Sequence, residues 1–61
     1  KNVTEFIHNV RMGKAIFLLN STKLSIHNIA MLCGYNDSNY FCRIFKKQHE
    51  ISPAQYRNRL L

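Results

Sequence analysis

Apolar residues recur along this chain at three- and four-residue spacing, the period of amphipathic helices, in blocks parted by polar or glycine-containing joints. The first block predicts a helix from about Val3 to Leu19, with Phe6, Ile7, Val10, Ala15, Leu18 and Leu19 as its apolar set. Asn2 followed three residues on by Glu5 fits a capping box at its start. Gly13 weakens the pattern, because glycine costs roughly 1 kcal/mol relative to alanine inside a helix. Asn20, Ser21 and Thr22 end it as a polar joint.

Ser25 is a good N-cap for a second helix. Ile26, Ile29, Ala30 and Cys33 then fall at i, i+3, i+4 and i+7, and Gly34 is the expected stop, since it reaches positive φ without a Cβ penalty. Tyr35 to Asp37 lead into a third helix, with Asn36 or Asp37 as cap and Phe41, Ile44 and Phe45 as its apolar stripe. His49, Glu50 and Ile51 carry the exit. A fourth helix opens on Ser52 as N-cap, with Pro53 at the favoured first position and Gln55 completing a capping box; Tyr56 and Leu60 are its inward residues. The pattern predicts an all-α fold, a small bundle of about four helices. Its expected core is Phe6, Ile7, Val10, Leu18, Leu19, Ile26, Ile29, Ala30, Cys33, Phe41, Ile44, Phe45 and Tyr56.

Residues 25–47 are the informative stretch. Two short helices joined by a tight glycine-containing turn match a helix-turn-helix, but also any corner between packed helices. The outer face of the second helix separates these readings. At about 100° per residue, Asn36, Asn39, Arg43 and Lys46 collect opposite the Phe41–Phe45 stripe, with Cys42 and Lys47 on the flanks. No acid lies between Asp37 and Glu50, whereas a merely solvated helix usually mixes signs. Asparagine and arginine are the side chains that pair with adenine and guanine edges in the major groove. Lys46 and Lys47, one turn further on, suit phosphates. Ser25, with free backbone N–H groups after it, and His27 are further candidates for a phosphate contact. Asp37 is expected to serve as a cap rather than a contact.

Charge supports a polyanionic partner: nine Lys and Arg stand against three Asp and Glu, a formal net charge of +6. The composition, 46% hydrophobic and 20% charged, is that of a folded domain and not of a disordered segment. Apolar runs such as Ala15 to Leu19 are far too short to span a bilayer, so no membrane role is expected. Cys33 and Cys42 form neither a C-x-x-C pair nor a disulfide framework, which fits a reducing cytoplasm. With His8, His27 and His49 they offer no zinc-finger spacing, so no metal and no cofactor is expected. Three acids in all, no nucleophile–base motif and no glycine-rich phosphate loop speak against an enzyme. Tyr35, Phe41, Phe45 and Tyr56 have the spacing of core residues rather than of a base-stacking platform.

Ile29-Ala30, Gly34-Tyr35, Asp37, Tyr40-Phe41, Arg43, Phe45-Lys46-Lys47, Ser52-Pro53 and Tyr56-Arg57 together resemble the second helix-turn-helix of the AraC/XylS family of bacterial transcription regulators. Phe6-Ile7, Arg11, Ala15, Leu18-Leu19 and Ser25-Ile26 are similar to that family's linker helix and the start of the motif. The resemblance covers nearly the whole chain and implies a homeodomain-like unit. In it residues 1–20 form the linker helix, 25–47 the helix-turn-helix and 52–61 the C-terminal helix. It further implies a recognition helix of about residues 37–48 in the major groove of double-stranded DNA. Base contacts are implied at Ser38, Asn39, Tyr40, Cys42 and Arg43. The helical wheel independently selects Asn39 and Arg43 and tolerates Cys42, while Ser38 and Tyr40 rest on the resemblance. Glu50 departs from the glycine often found before the Ser-Pro step.

The family's DNA-binding domain has about 100 residues and two such motifs, so the first motif is expected ahead of Lys1. A faint echo between Val3–Ile7 and Ile51–Tyr56 points the same way, as does a chain that begins at Lys1 directly in helix-like sequence. RNA polymerase is a further expected partner if the protein is an activator, and the bacterial cytoplasm its expected place. The alternative is a basic helical module that docks on an acidic protein.

Overall fold

The computed structural model describes residues 2–59, and every regular element among them is a helix: α1 (Val3–Ser21), α2 (Ile26–Leu32), α3 (Ser38–His49) and α4 (Pro53–Arg59). Leu60, assigned an inward position by its spacing, lies outside the described residues.

Local chemistry sets each boundary. Asn2 caps α1 by accepting from the Glu5 N–H at 2.7 Å. The helix runs through Gly13 and two residues past Leu19, into the stretch expected to be loop. Its polar end is satisfied from within, because Ser21 Oγ donates to the Phe17 carbonyl at 2.6 Å and Thr22 Oγ1 to the Leu18 carbonyl at 2.7 Å. Ser25 Oγ caps α2 by accepting from the Asn28 N–H.

The end of α2 is a Schellman motif: Tyr35 N–H donates to the Ala30 carbonyl and Gly34 N–H to the Met31 carbonyl, with Gly34 at φ +99°. Asp37 is the cap of α3, accepting from the Asn39 N–H at 2.9 Å. The predicted box at α4 is closed on both sides: Ser52 N–H donates to Gln55 Oε1, and Gln55 N–H to Ser52 Oγ.

The core joins Met12, Ala15 and Leu19 of α1 to Ile29, Ala30 and Cys33 of α2, Tyr35 of the turn, and Phe41 and Phe45 of α3. Leu18, Ile26, Ile44 and Tyr56 pack around it, half-buried. Phe6, Ile7 and Val10, placed in the core from their spacing, are exposed, Phe6 at 67% and Val10 at 58%. The reason is geometric. Successive α1 residues turn by about 100°, so Val3, Phe6, Val10 and Phe17 fall on the side of the helix opposite Met12, Ala15 and Leu19. The helix is apolar on two sides, and the spacing argument had merged them. Met12, Ala15, Tyr35 and Pro53, absent from the expected core, are buried.

Glu50 closes α3 in the left-handed region at φ 71°, the conformation in which glycine is favoured. A carboxylate at a helix C-terminus also opposes the helix dipole. Glu50→Gly is expected to stabilise the fold by about 1 kcal/mol net of the greater freedom glycine gives the unfolded chain. For a domain of this size that raises the thermal midpoint by roughly 4–8 °C, readable by circular dichroism. A lower midpoint would show that Glu50 makes compensating interactions.

Candidate nucleic-acid interface

α3 is held by its inner face and presented by its outer one. Phe41 and Phe45, both fully buried, fix its rotation about its own axis. Tyr56 meets Phe45 edge-on at 5.8 Å between ring centroids, and His49 lies 4.3 Å from the same ring. With that rotation set, Asn39, Arg43, Lys46 and Lys47 are all exposed. Ser38 and Cys42 are half-buried at the margin of this face. Burial pushes the Cys42 thiol above its ordinary value, which keeps it uncharged near neutral pH. Tyr40 is 39% exposed on the margin nearer α1. Its ring lies under the Arg43 guanidinium, whose carbon is 5.8 Å from the ring centroid, within cation–π range. The outer face therefore brings together Asn39, Arg43, Lys46 and Lys47, with Ser38, Cys42 and Tyr40 along its edges.

At the start of α2, Ser25 and His27 are exposed. The Ser25 oxygen is already engaged as the cap of its own helix. The segment leading into α2 is clamped from α4: Arg57 donates to the Leu24 carbonyl at 2.6 Å and to the Thr22 carbonyl at 3.2 Å. From α1, Lys14 Nζ donates to the Leu32 carbonyl at 3.0 Å, closing the far end of α2. The Arg11 guanidinium lies over the Tyr35 ring at 5.0 Å and against Gly34, where a Cβ would come within 3.2 Å of it. Burial, outweighing the Arg11 charge, pushes the Tyr35 phenol above its ordinary value.

Arg57, Arg11 and Lys14, together with His8 of α1, whose Nδ1 lies 2.7 Å from the Tyr35 hydroxyl, set the geometry of the motif, yet spacing assigned them no task. Each acts across the fold, with partners 18 to 35 residues away in the chain, so no local pattern announces it. Among the described residues no group of three His, Cys, Asp or Glu is gathered to hold a metal, and no helix is long and apolar enough to cross a membrane.

The arrangement, a short capped helix, a Schellman turn and a basic second helix, is that of a helix-turn-helix. The family model for a helix-turn-helix domain matches residues 1–59. The chain is 39% identical over 59 residues to the transcriptional activator RhaR of Mannheimia succiniciproducens, covering 97% of this chain and 21% of that one. It is 40% identical over 58 residues to the xylose operon regulatory protein of Escherichia coli K12, covering 95% of this chain and 15% of that one. The chain belongs to the AraC/XylS family.

Another family member, the uncharacterized regulator YpdC of E. coli K12, is 46% identical over 55 residues, 90% of this chain and 19% of its own length. Among solved structures, the C-terminal domain of the two-component response regulator yesN from Fusobacterium nucleatum superposes with a TM-score of 0.91 at 40% identity. The match covers 93% of this chain and 55% of that one. RhaR and YpdC are named as transcriptional regulators, and this AraC/XylS unit is a DNA-binding domain of that kind. It spans only 15–21% of the length of these curated relatives.

Proposed function

We propose that this domain binds double-stranded DNA sequence-specifically by setting α3 in the major groove. The observation that carries the reading is the exposed face of Asn39, Arg43, Lys46 and Lys47, free of acids and opposite the buried Phe41 and Phe45. Asn39 and Arg43 turn toward base edges, where an arginine donates two bonds to guanine and an asparagine pairs with adenine. Ser38, Tyr40 and Cys42 contact bases at the margins of the same helix. Lys46 and Lys47 meet phosphates as the helix leaves the groove, and the Ser25 hydroxyl and His27 hold the strand that α2 crosses.

A second helix-turn-helix completes the domain on the N-terminal side of α1, and the exposed apolar stripe of Val3, Phe6, Val10 and Phe17 supports its seat there. The whole protein acts as a bacterial activator on the nucleoid and engages RNA polymerase, as the activator names of several relatives suggest.

Arg43 and Lys47 distinguish reading from anchoring. On a duplex enriched from a random pool, Arg43→Ala is expected to cost about 1–3 kcal/mol and to relax preference at one base pair. Lys47→Ala is expected to weaken enriched and scrambled duplexes alike and to lower the salt slope by about one unit. Titration of both variants on both duplexes across a salt series reads these outcomes. Equal loss on the two duplexes for Arg43→Ala would leave arginine as a phosphate anchor and remove the base-reading assignment. Binding with neither salt dependence nor sequence preference would favour docking on an acidic protein instead.

A further inference from the structure

The side chain of Tyr40 is held from α1. His8, half-buried on α1, bridges two phenols: its Nδ1 is 2.7 Å from the Tyr35 hydroxyl, and its Nε2 lies 3.4 Å from the Tyr40 hydroxyl. Neutral imidazole carries one N–H and one lone pair, so it can serve both phenols at once, donating to one and accepting from the other. The contact to Tyr35 is short and part-buried. The contact to Tyr40 is long and open to solvent, but it does not stand alone. The Tyr40 ring lies edgewise on His8 at 6.1 Å and tilted on Tyr35 at 5.9 Å. Tyr35 is only 3% exposed and is itself fixed under Arg11, so the far end of the cluster is immobile. The near end carries the Arg43 guanidinium over the Tyr40 ring. A chain of contacts therefore runs from α1 through His8 and Tyr40 to Arg43. A second side-chain link between α1 and α3, Gln48 Nε2 donating to Asn9 Oδ1 at 3.1 Å, lies further along α3 and does not touch Arg43.

We propose that His8 is a positioning residue for base readout: it holds the Tyr40 ring as the shelf on which Arg43 rests, and so sets the angle at which the guanidinium meets a base edge. This rests on the reading of Arg43 as a base-contacting residue. Two N–H groups must align with guanine O6 and N7 together, and a guanidinium free to swing loses that alignment before it loses its attraction to the duplex. Removing His8 is therefore expected to lower discrimination more than affinity. Lys47 lines the same surface groove as His8 and Tyr40, two turns further along α3. A phosphate contact depends on its charge and not on the angle of the Tyr40 ring, so the proposed phosphate contacts of Lys46 and Lys47 should be unaffected.

The test uses the full-length protein and a duplex enriched from a random pool, with a panel carrying every single base-pair change. Arg43→Ala first marks the base pair whose identity depends on Arg43. For each variant the readout is the ratio of affinities for the enriched duplex and for the duplex changed at that pair. Both affinities come from one protein sample, so any loss of folded population cancels from the ratio. His8→Ala is expected to reduce this ratio by about three- to tenfold, within the range that one bidentate contact supplies. Ratios at other base pairs, and the salt slope, should stay as in the parent. Tyr40→Phe keeps the ring and removes the hydroxyl that faces His8; it should reduce the same ratio, and His8→Ala combined with Tyr40→Phe should do no worse than His8→Ala alone. An unchanged ratio in His8→Ala overturns the proposal, as does an equal loss at every base pair, and Arg43 would keep its role in either case. Should His8→Ala fail to fold, His8→Phe, which keeps a ring in place and removes both nitrogens, decides by the same ratio. If Arg43→Ala marks no base pair, the base-reading assignment itself falls, and the role of His8 falls with it.

Discussion

Phe45→Ala is expected to remove a third or more of the stability of this domain. The side chain is fully buried, and its ring meets those of Phe41, His49 and Tyr56, so it joins the two ends of α3 to α4. Truncating a buried phenylalanine costs about 3–5 kcal/mol, the transfer free energy of the ring plus that of the cavity left behind. A chain of this length has a total stability of only roughly 3–9 kcal/mol, at about 0.05–0.15 kcal/mol per residue. The neighbours cannot collapse into the space, because Phe41 is pinned against Tyr35 and Tyr56 belongs to a helix held at its start by the Ser52–Gln55 box. Urea titration followed by circular dichroism measures the loss. Phe17→Ala is the matched control: the same chemical change at a side chain 66% exposed should cost less than about 0.5 kcal/mol. A loss for Phe45→Ala as small as that for Phe17→Ala would mean that α3 faces the core with another side, and the outward placement of Arg43 would go with it.

The contrast between these two phenylalanines shows what the chain discloses about itself. Ser25, Gly34, Asp37 and the Ser52–Gln55 pair were legible because a cap is a contract between residues two or three apart, and sequence displays such neighbours directly. α3 was legible because its apolar residues occupy one side only, which orients the opposite, basic side without ambiguity. α1 was not, since Phe6 and Val10 lie on one of its sides and Met12, Ala15 and Leu19 on the other, and spacing alone cannot say which side meets the rest of the domain. The contacts that steady the interface were hidden for a different reason. Arg57 reaches back to Leu24 and Thr22, and His8 forward to Tyr35, so neither role exists until the helices are packed. Tyr40 joins the two cases. The resemblance placed it among base contacts, the wheel did not, and its ring lies at the edge of the interface, engaged with His8 on one side and Arg43 on the other.

An extended chain carrying the proposed upstream motif is expected to bind its duplex about 10²–10⁴-fold more tightly than these 61 residues alone. One small module buries only roughly 600–1,000 Å² against DNA, which limits the affinity of a single reading helix. A second motif joined rigidly through α1 makes its own contact intramolecular, so the two contributions combine without a second loss of translational freedom. In the proposed arrangement the exposed stripe of Val3, Phe6, Val10 and Phe17 would supply the means of rigid attachment, since apolar side chains of that size gain stability when covered. Placing a charge there gives a second arm to the test. Phe6→Asp should leave the binding of the 61-residue chain nearly unchanged, because the side chain is exposed and not among the proposed DNA contacts. In the extended chain the same change should undo most of the gain by unseating the upstream motif. Titration of the four proteins against one enriched duplex at a single salt concentration reads both effects, and fixing the salt matters because phosphate contacts shift affinity steeply with it. Equal affinity of the short and extended chains would defeat the two-motif arrangement. A gain that survives Phe6→Asp would keep the second motif and move its seat away from this face of α1.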